Sequence, residues 1–389
     1  MDIALASPLL GGLSPQAFMR RHWQKKPLLV RQAVAGGVDI VSRAALVALA
    51  SHDEVESRLI VRRDARWSVR SGPLPRAALP PFRQPQWTLL VQGLDLHLPA
   101  ARALLERFRF VPDARLDDVM VSYASDGGGV GPHVDSYDVF LLQTHGRRRW
   151  RIGRVADPAL VADAPLKILA NFEPEQEFLL EPGDMLYLPP GWAHDGVAQG
   201  ECMTCSIGFR ASGRDELARE VLQRMLDGAD AERDTENDED HRGPLYRDPK
   251  LEATLEPGRI PSGLTAFATD AVARLLADPQ ALACALGEVL SEPKRGVWFD
   301  ASELASAGGE GSEGGDVRLD QRTRMLYDDA HIFINGESFR AAGRDARLMR
   351  RLADRRSLKA RELAQLSADA RILLSEWLDA GWLVRDDSR

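Results

Sequence analysis

The stretch GPHVDSYDVF, residues 131–140, sets an imidazole and a carboxylate, His133 and Asp135, two positions apart, directly after Gly127, Gly128 and Gly129. In an extended segment side chains alternate, so His133 and Asp135 point to one face about 7 Å apart along the chain, with Tyr137 next in phase. That pair is able to grip a single divalent ion, and a third ligand must then come from elsewhere. His194, in EPGDMLYLPPGWAH and 61 residues downstream of His133, is the candidate. Two histidines and one carboxylate make a facial triad, which leaves positions open on a metal such as Fe(II). Taken singly, His133 and Asp135 also fit a hydrogen-bonded strand pair, and His194 a turn histidine. The glycine-rich loop before the first and the Pro-Gly turn before the last favour the metal.

A second constellation is THGRRRWRIG, residues 144–153. It reads as a turn followed by a strand in which Arg148, Trp150 and Ile152 share a face. The two apolar members face inward and carry Arg148 with them, while Arg147 and Arg149 solvate the other face. A buried guanidinium needs an anion, and no acidic residue of this segment has the same phase. A dicarboxylate such as 2-oxoglutarate supplies one, its keto acid end on the metal and its far carboxylate on Arg148. The alternative phase, with Arg147 or Arg149 inward, leaves all three arginines at a solvated edge. Asp126, at the mouth of the glycine loop, is placed to hold a cationic side chain against which Tyr137 packs; it equally suits a turn residue before glycine. Cys202 and Cys205 form C-x-x-C, but on a strand that odd spacing turns them to opposite faces, and with no second pair a zinc site is not expected. His22, His52, His97, His145, His241 and His331 have no ligand partner in the sequence.

The elements that must position these groups follow from the pattern. PLLV (27–30), WTLLVQ (87–92), DVMVSY (118–123), DVFLLQ (138–143), WRIG (150–153), DMLYLP (184–189) and MTCSIGF (203–209) read as short strands between turns, hence a barrel or jelly roll. A helix capped by Ser14-Pro15 precedes them and ends at Pro27. From residue 214 the text turns helical, with Leu217, Val221, Leu222, Met225 and Leu226 on one stripe. The acidic run 227–241 reads as a loop, 264–290 as helix broken near Pro279, and 306–316 as a glycine-rich linker. The helical segment suits a dimerisation surface or packing within the chain. HIFINGESF is a hairpin turning at Asn335-Gly336. Helices over 344–355, 358–366 and 368–380, a C-cap at Gly381 and the strand-like GWLVRDD make a winged helix. Its stretch Arg344–Arg361 holds eight basic and two acidic residues, an excess that suits nucleic acid or a solvated helix face.

The whole chain, 389 residues with 44% hydrophobic and 28% charged residues, is of soluble globular composition and long enough for two or three domains. No apolar run approaches the roughly 18 residues of a membrane span, and the N-terminus lacks the charged start of a secretory signal. Three cysteines give no disulfide framework, so a reducing cytoplasm is expected. A net charge of −8 argues against wholesale coating of nucleic acid.

GPHVDSYDVF, GRRRWRIG, EPGDMLYLPPGWAHDG and SIGF, in this order and spacing, resemble the JmjC-type ribosomal oxygenases, and FMRRHWQKKPLLVRQA looks like the start of that family. The resemblance runs over nearly the whole chain. It implies a mainly β protein with α, in three parts: a cupin-like JmjC double-stranded β-helix (1–213), a helical dimerisation segment (214–290) and a winged helix (291–389). It also implies His133, Asp135 and His194 as iron ligands, Arg148 as the 2-oxoglutarate anchor, and Asp126 on the substrate side chain. The activity it implies consumes 2-oxoglutarate and O2 on Fe(II) and 3-hydroxylates an arginine of a large-subunit ribosomal protein. Histidyl hydroxylation, lysyl demethylation and a non-catalytic winged-helix nucleic-acid-binding protein are the alternatives. The runs 227–241 and 306–316 are less typical of the family.

Overall fold

The computed structural model describes residues 2–36, 39–64, 66–235, 245–251, 253, 256–294, 296–299 and 315–386. The chain divides into two compact units, Met1–Ala211 and Ser212–Arg389.

In the first unit, helix α1 (Pro15–Arg21) starts where the Ser14 hydroxyl accepts the Ala17 amide at 3.1 Å, with proline at its first position. Helices α2 (Arg43–Leu49) and α3 (Pro99–Glu106) follow. Ten strands form one sheet: β1 (Leu28–Val30), β2 (Ser57–Arg63), β3 (Arg66–Ser71), β4 (Trp87–Val91), β5 (Leu116–Ala124), β6 (His133–Val134), β7 (Val139–Arg154), β8 (Gln176–Leu180), β9 (Met185–Leu188) and β10 (Trp192–Phe209). Their order is β1-β9-β7-β10-β5-β4-β2-β3, with β6 on β10 and β8 on β7.

The short strands expected over 138–143 and 150–153 are one strand. β7 runs through the intervening residues, pairs with β9 in its first half and β8 in its second, and follows β10 along both. Gly146, at φ +60°, lets it bend there, where any Cβ would run into the Glu201 carbonyl; opposite, β10 shifts register between Gln199 and Met203. A bent, long-stranded sheet of this kind closes as the jelly roll that the strand spacing predicts.

Period-two alternation then sorts side chains between core and cavity. Trp87, Leu89 and Val91 of β4, Val119, Val121 and Tyr123 of β5, Phe140 and Leu142 of β7, and Cys205, Ile207 and Phe209 of β10 enter the main apolar core. Their alternates Thr88, Leu90, Met120, Ser122, Val139, Leu141, Ser206 and Gly208 line a cavity. Cys202 and Cys205 lie in different clusters, as their odd spacing requires, and both are unpaired thiols.

In the second unit, α4 (Arg214–Thr235) packs Val221 and Met225 on Ala285 of α6 (Pro279–Ser291); α5 (Ser262–Leu276) lies between them in sequence. The loop expected from 227 is helix as far as Thr235: the docked stripe of Val221 and Met225 fixes the earlier turns, and extending a helix already formed costs far less than starting one. Residues 236–241, and 306–314 of the expected linker, lie outside the described residues. The hairpin His331–Ile334 and Glu337–Arg340 turns at Asn335 and Gly336, both at positive φ. Helices α7 (Gly343–Arg355), α8 (Ala360–Leu363) and α9 (Ala368–Asp379) follow. After α9, Gly381 is left-handed and the Trp382 amide returns to Trp377, and Leu383–Asp386 then pairs with Asp316–Leu319. Much of the basic excess of 344–361 is engaged within the unit: Arg351 and Arg355 on Glu362, Lys359 on Asp316, and buried Arg356 on the Asp320 and Thr323 carbonyls.

Gly287 of α6 is a helical glycine for a reason of space, since a Cβ there would overlap the buried ring of Phe333. Gly287→Ala gains up to about 1 kcal/mol of helix propensity, but overpacking costs ~1–3 kcal/mol. A lower midpoint in urea unfolding is the expected result; a raised one would show that the ring moves freely.

Candidate active site

His133 and His194 meet across a ladder, because β6 pairs antiparallel with β10 with these two residues in register. Their ring centroids are 4.2 Å apart. The extended H-x-D segment expected from the sequence is shorter than that: β6 ends at Val134 and Asp135 lies just past it. The PPGW turn holds it there, the Gly191 amide donating to the Asp135 carbonyl at 3.0 Å. Asp135 still reaches both rings, 3.8 Å from His133 Nε2 and 3.6 Å from His194 Nε2. One ligand atom from each of the three lies within 4.8 Å of the others, the one such group among the described residues.

The backbone sets the tautomers. His133 Nδ1 lies 2.9 Å from the Gly131 carbonyl and His194 Nδ1 3.1 Å from that of Trp192. A carbonyl only accepts, so each Nδ1 carries the proton and each Nε2 turns a lone pair toward Asp135. Burial pushes the His194 imidazolium down to about 3, with nearby His133 adding to the effect, so the ring is a neutral donor. Burial also raises the Asp135 carboxyl, against the opposing pull of His133 and of a hydrogen bond from Tyr137. Two imidazoles that present Nε2 and a carboxylate short of solvation are a donor set that fits a divalent cation.

The triad opens on a cavity of about 410 Å³. Arg148 lines it and is 4% exposed. The alternation expected of GRRRWRIG is present: Arg147 and Arg149 are exposed, Arg148, Trp150 and Ile152 buried. Arg148 Nη1 donates to Ser122 Oγ at 3.0 Å, and the guanidinium lies 5.7 Å from the Trp150 ring centroid. Its Nε and Nη2 are buried without a partner. Orphaned donors on a buried cation are costly, and an anion entering the cavity is what would satisfy them. A carboxylate chelator of the metal with a second carboxylate at its far end fits both ends.

Tyr137 lines the same cavity at 39% exposure. Burial raises its phenol, and Asp135, Asp118 and Asp117 add to this, so it is a neutral hydroxyl. Asp126 is elsewhere. It is exposed, it is not among the residues lining the cavity, and its carboxylate accepts the Gly200 amide at 2.8 Å. Asp126 thus has one carboxylate oxygen on a turn amide and stands outside the lining of the cavity. Sequence reasoning missed Arg58, Gln92, Asp117, Asp118 and Met120, which also line the cavity. The signal was legible in DVMVSY: with Val119, Val121 and Tyr123 in the core, Asp118, Met120 and Ser122 must face the other way.

Residues 103–217 match the JmjC domain family and residues 274–384 the ROXA-like winged helix. The chain is 42% identical over 219 residues to the ribosomal protein uL16 3-hydroxylase of Escherichia coli K12, covering 54% of this chain and 57% of that one. It is 37% identical over 203 residues to a probable ribosomal oxygenase of Haemophilus influenzae, over 51% and 50% of the two chains. The match thus spans about half the length of these curated relatives. Against solved structures it extends further: E. coli YcfD superposes with a TM-score of 0.78 at 29% identity, over 96% of this chain and 98% of that one. The same ribosomal oxygenase in complex with cobalt and 2-oxoglutarate superposes at 0.73, over 95% and 98%.

Proposed function

The chain belongs to the JmjC-type ribosomal oxygenase family, and from that premise we propose that it is an Fe(II)- and 2-oxoglutarate-dependent protein hydroxylase acting on an arginine of ribosomal protein uL16. The observation that carries this reading is the conjunction, in one cavity, of the His133–Asp135–His194 donor set with the orphaned guanidinium of Arg148. When bound, the iron couples reduction of O2 to decarboxylation of 2-oxoglutarate, yielding succinate and CO2 and placing one oxygen atom on an unactivated carbon. The protein's own residues do the rest. His133, Asp135 and His194 would hold the metal; Arg148, with Ser122, would fix the far carboxylate of the co-substrate; Trp150, Val139 and Leu141 line the cavity beside it with apolar surface.

The cavity wall supports a cationic substrate side chain. Asp117 and Asp118 of β5 and the hydroxyl of Tyr137 line it, a lining suited to a guanidinium or an ammonium. The family relation selects arginine. Losing one charged hydrogen bond costs about 1.5–3 kcal/mol, so Asp118→Asn is expected to lower kcat/KM for uL16 at least tenfold. Incubation of the protein with Fe(II), 2-oxoglutarate, O2 and uL16 is expected to release succinate in a uL16-dependent manner and to add one oxygen to an arginine, read by mass spectrometry. An added oxygen on histidine, or loss of a lysine methyl group, would select the alternative JmjC chemistries; the absence of any uL16-stimulated succinate would sink the assignment.

The proposal includes the three-part division 1–213, 214–290 and 291–389, and a homodimer built on the helical segment. Leu222 and Leu226 of α4 and Phe267, Val272 and Leu276 of α5 are exposed, an apolar display that is unusual for a monomer. Sedimentation at micromolar concentration is expected to give twice the chain mass of 42.9 kDa; a single species at the chain mass would remove this part of the reading. The cytoplasm is the proposed location, supported by three unpaired cysteines.

A further inference from the structure

We propose that Arg58 reads the substrate: its guanidinium donates to an acceptor oxygen, a backbone carbonyl or a carboxylate, of the protein segment that flanks the hydroxylated residue. The inference rests on the hydroxylase reading of the same cavity. Arg58 stands on β2, outside the strands that carry the triad and Arg148, yet its side chain lines the cavity. Its Nη2 donates to Gln92 Oε1 at 2.7 Å, which fixes the plane of the fork, while its Nε is buried with no partner. A second orphaned guanidinium donor in one cavity asks for a second acceptor.

The co-substrate is the wrong acceptor on grounds of placement. Arg58, Leu90 and Ser122 lie in register across β2, β4 and β5, so Arg58 is two strands from Ser122, the residue that Arg148 binds. Two strand spacings are roughly 10 Å, more than one carboxylate bridges. Tyr137, Asp117 and Asp118 line the same cavity. The cavity therefore has an acceptor wall on β5 and a donor on β2, with β4 between them. A polypeptide presents complementary groups at that separation: a cationic side chain for the carboxylates and, along its backbone, acceptor oxygens for the arginine. Arg58 is thus a specificity residue for the protein substrate, separate from the Arg148 anchor.

The test is steady-state hydroxylation of uL16 by the full-length protein and its Arg58→Gln and Arg58→Lys variants, at varied uL16 and at varied 2-oxoglutarate. Loss of a hydrogen bond from a charged donor is expected to raise the KM for uL16 about tenfold or more in Arg58→Gln. Lysine keeps the charge without the fork and is expected to recover part of it. If the acceptor is a carboxylate, the native KM rises more steeply with salt than that of Arg58→Gln; if it is a carbonyl, the two slopes agree. A KM for uL16 within twofold of native in Arg58→Gln overturns the inference, as does a rise confined to the KM for 2-oxoglutarate. No turnover of uL16 by the native protein overturns the hydroxylase reading, and this inference with it.

Discussion

Alanine at His133 or Asp135 is expected to abolish uL16 hydroxylation, with a fall of at least a thousandfold, equivalent to about 4 kcal/mol, and to remove stoichiometric iron binding. The donor set has no spare member: among the described residues no other histidine, cysteine or carboxylate joins the group that these two form with His194. Two ligands hold a divalent ion far more weakly than three, and the tautomers imposed by the Gly131 and Trp192 carbonyls are useful only if the facing oxygen is present. The fold is expected to survive. Both side chains are partly exposed, at 25% and 20%, and they sit at the end of a two-residue strand away from the main core. Asp135→Ala removes a carboxylate that burial disfavours, so the metal-free protein is not expected to lose thermal stability. The measurements are iron content after loading and desalting, succinate release and a metal-free melting curve. Near-native succinate release by His133→Ala would end the triad assignment.

The second large effect is expected at Arg148. Arg148→Lys keeps the charge but loses the planar fork, and the apparent KM for 2-oxoglutarate is expected to rise tenfold or more, since a charged hydrogen bond is worth about 1.5–3 kcal/mol. Arg148→Met removes the anchor, and here function and stability are expected to part. The buried guanidinium has one hydrogen-bond partner, Ser122, and two orphaned nitrogens. Replacing such a group by an apolar side chain of similar length is neutral or stabilising by ~1–4 kcal/mol, so the variant is expected to melt no lower than the native protein while 2-oxoglutarate no longer raises its melting temperature. Arg147→Ala, on the exposed face, is expected to change neither quantity. The opposite pattern, loss at Arg147 and none at Arg148, would place the strand one residue out of phase.

Much of this site was present in the linear pattern, and the physical reason is periodicity. Within a strand the side-chain period is fixed by the backbone, so Trp150 and Ile152 determined the direction of Arg148 without any knowledge of its neighbours. The same rule placed Cys202 and Cys205 on opposite faces. Local turn chemistry likewise settled Ser14, Asn335-Gly336 and Gly381, since each depends on a few adjacent dihedrals. What the sequence by itself could not determine is which segments meet. His194 joins the donor set because β6 pairs with β10 in one register, and a slip of one residue would have turned it away. Asp135 reaches the rings by a turn held from Gly191, where alternation along the chain had suggested a longer strand. Asp126 and Asp118 look alike as isolated acidic residues near the triad. Each accepts a backbone amide, Asp118 from Gly93 and Asp126 from Gly200, and only the placement of β5 in the sheet decided that the first lines the cavity and the second does not. Arg58 lies still further from the motifs in sequence, and it enters the cavity solely because β2 is hydrogen-bonded to β4. Pairing between distant strands is a property of the whole sheet, set by burying one face of every strand at once, and no single segment carries it.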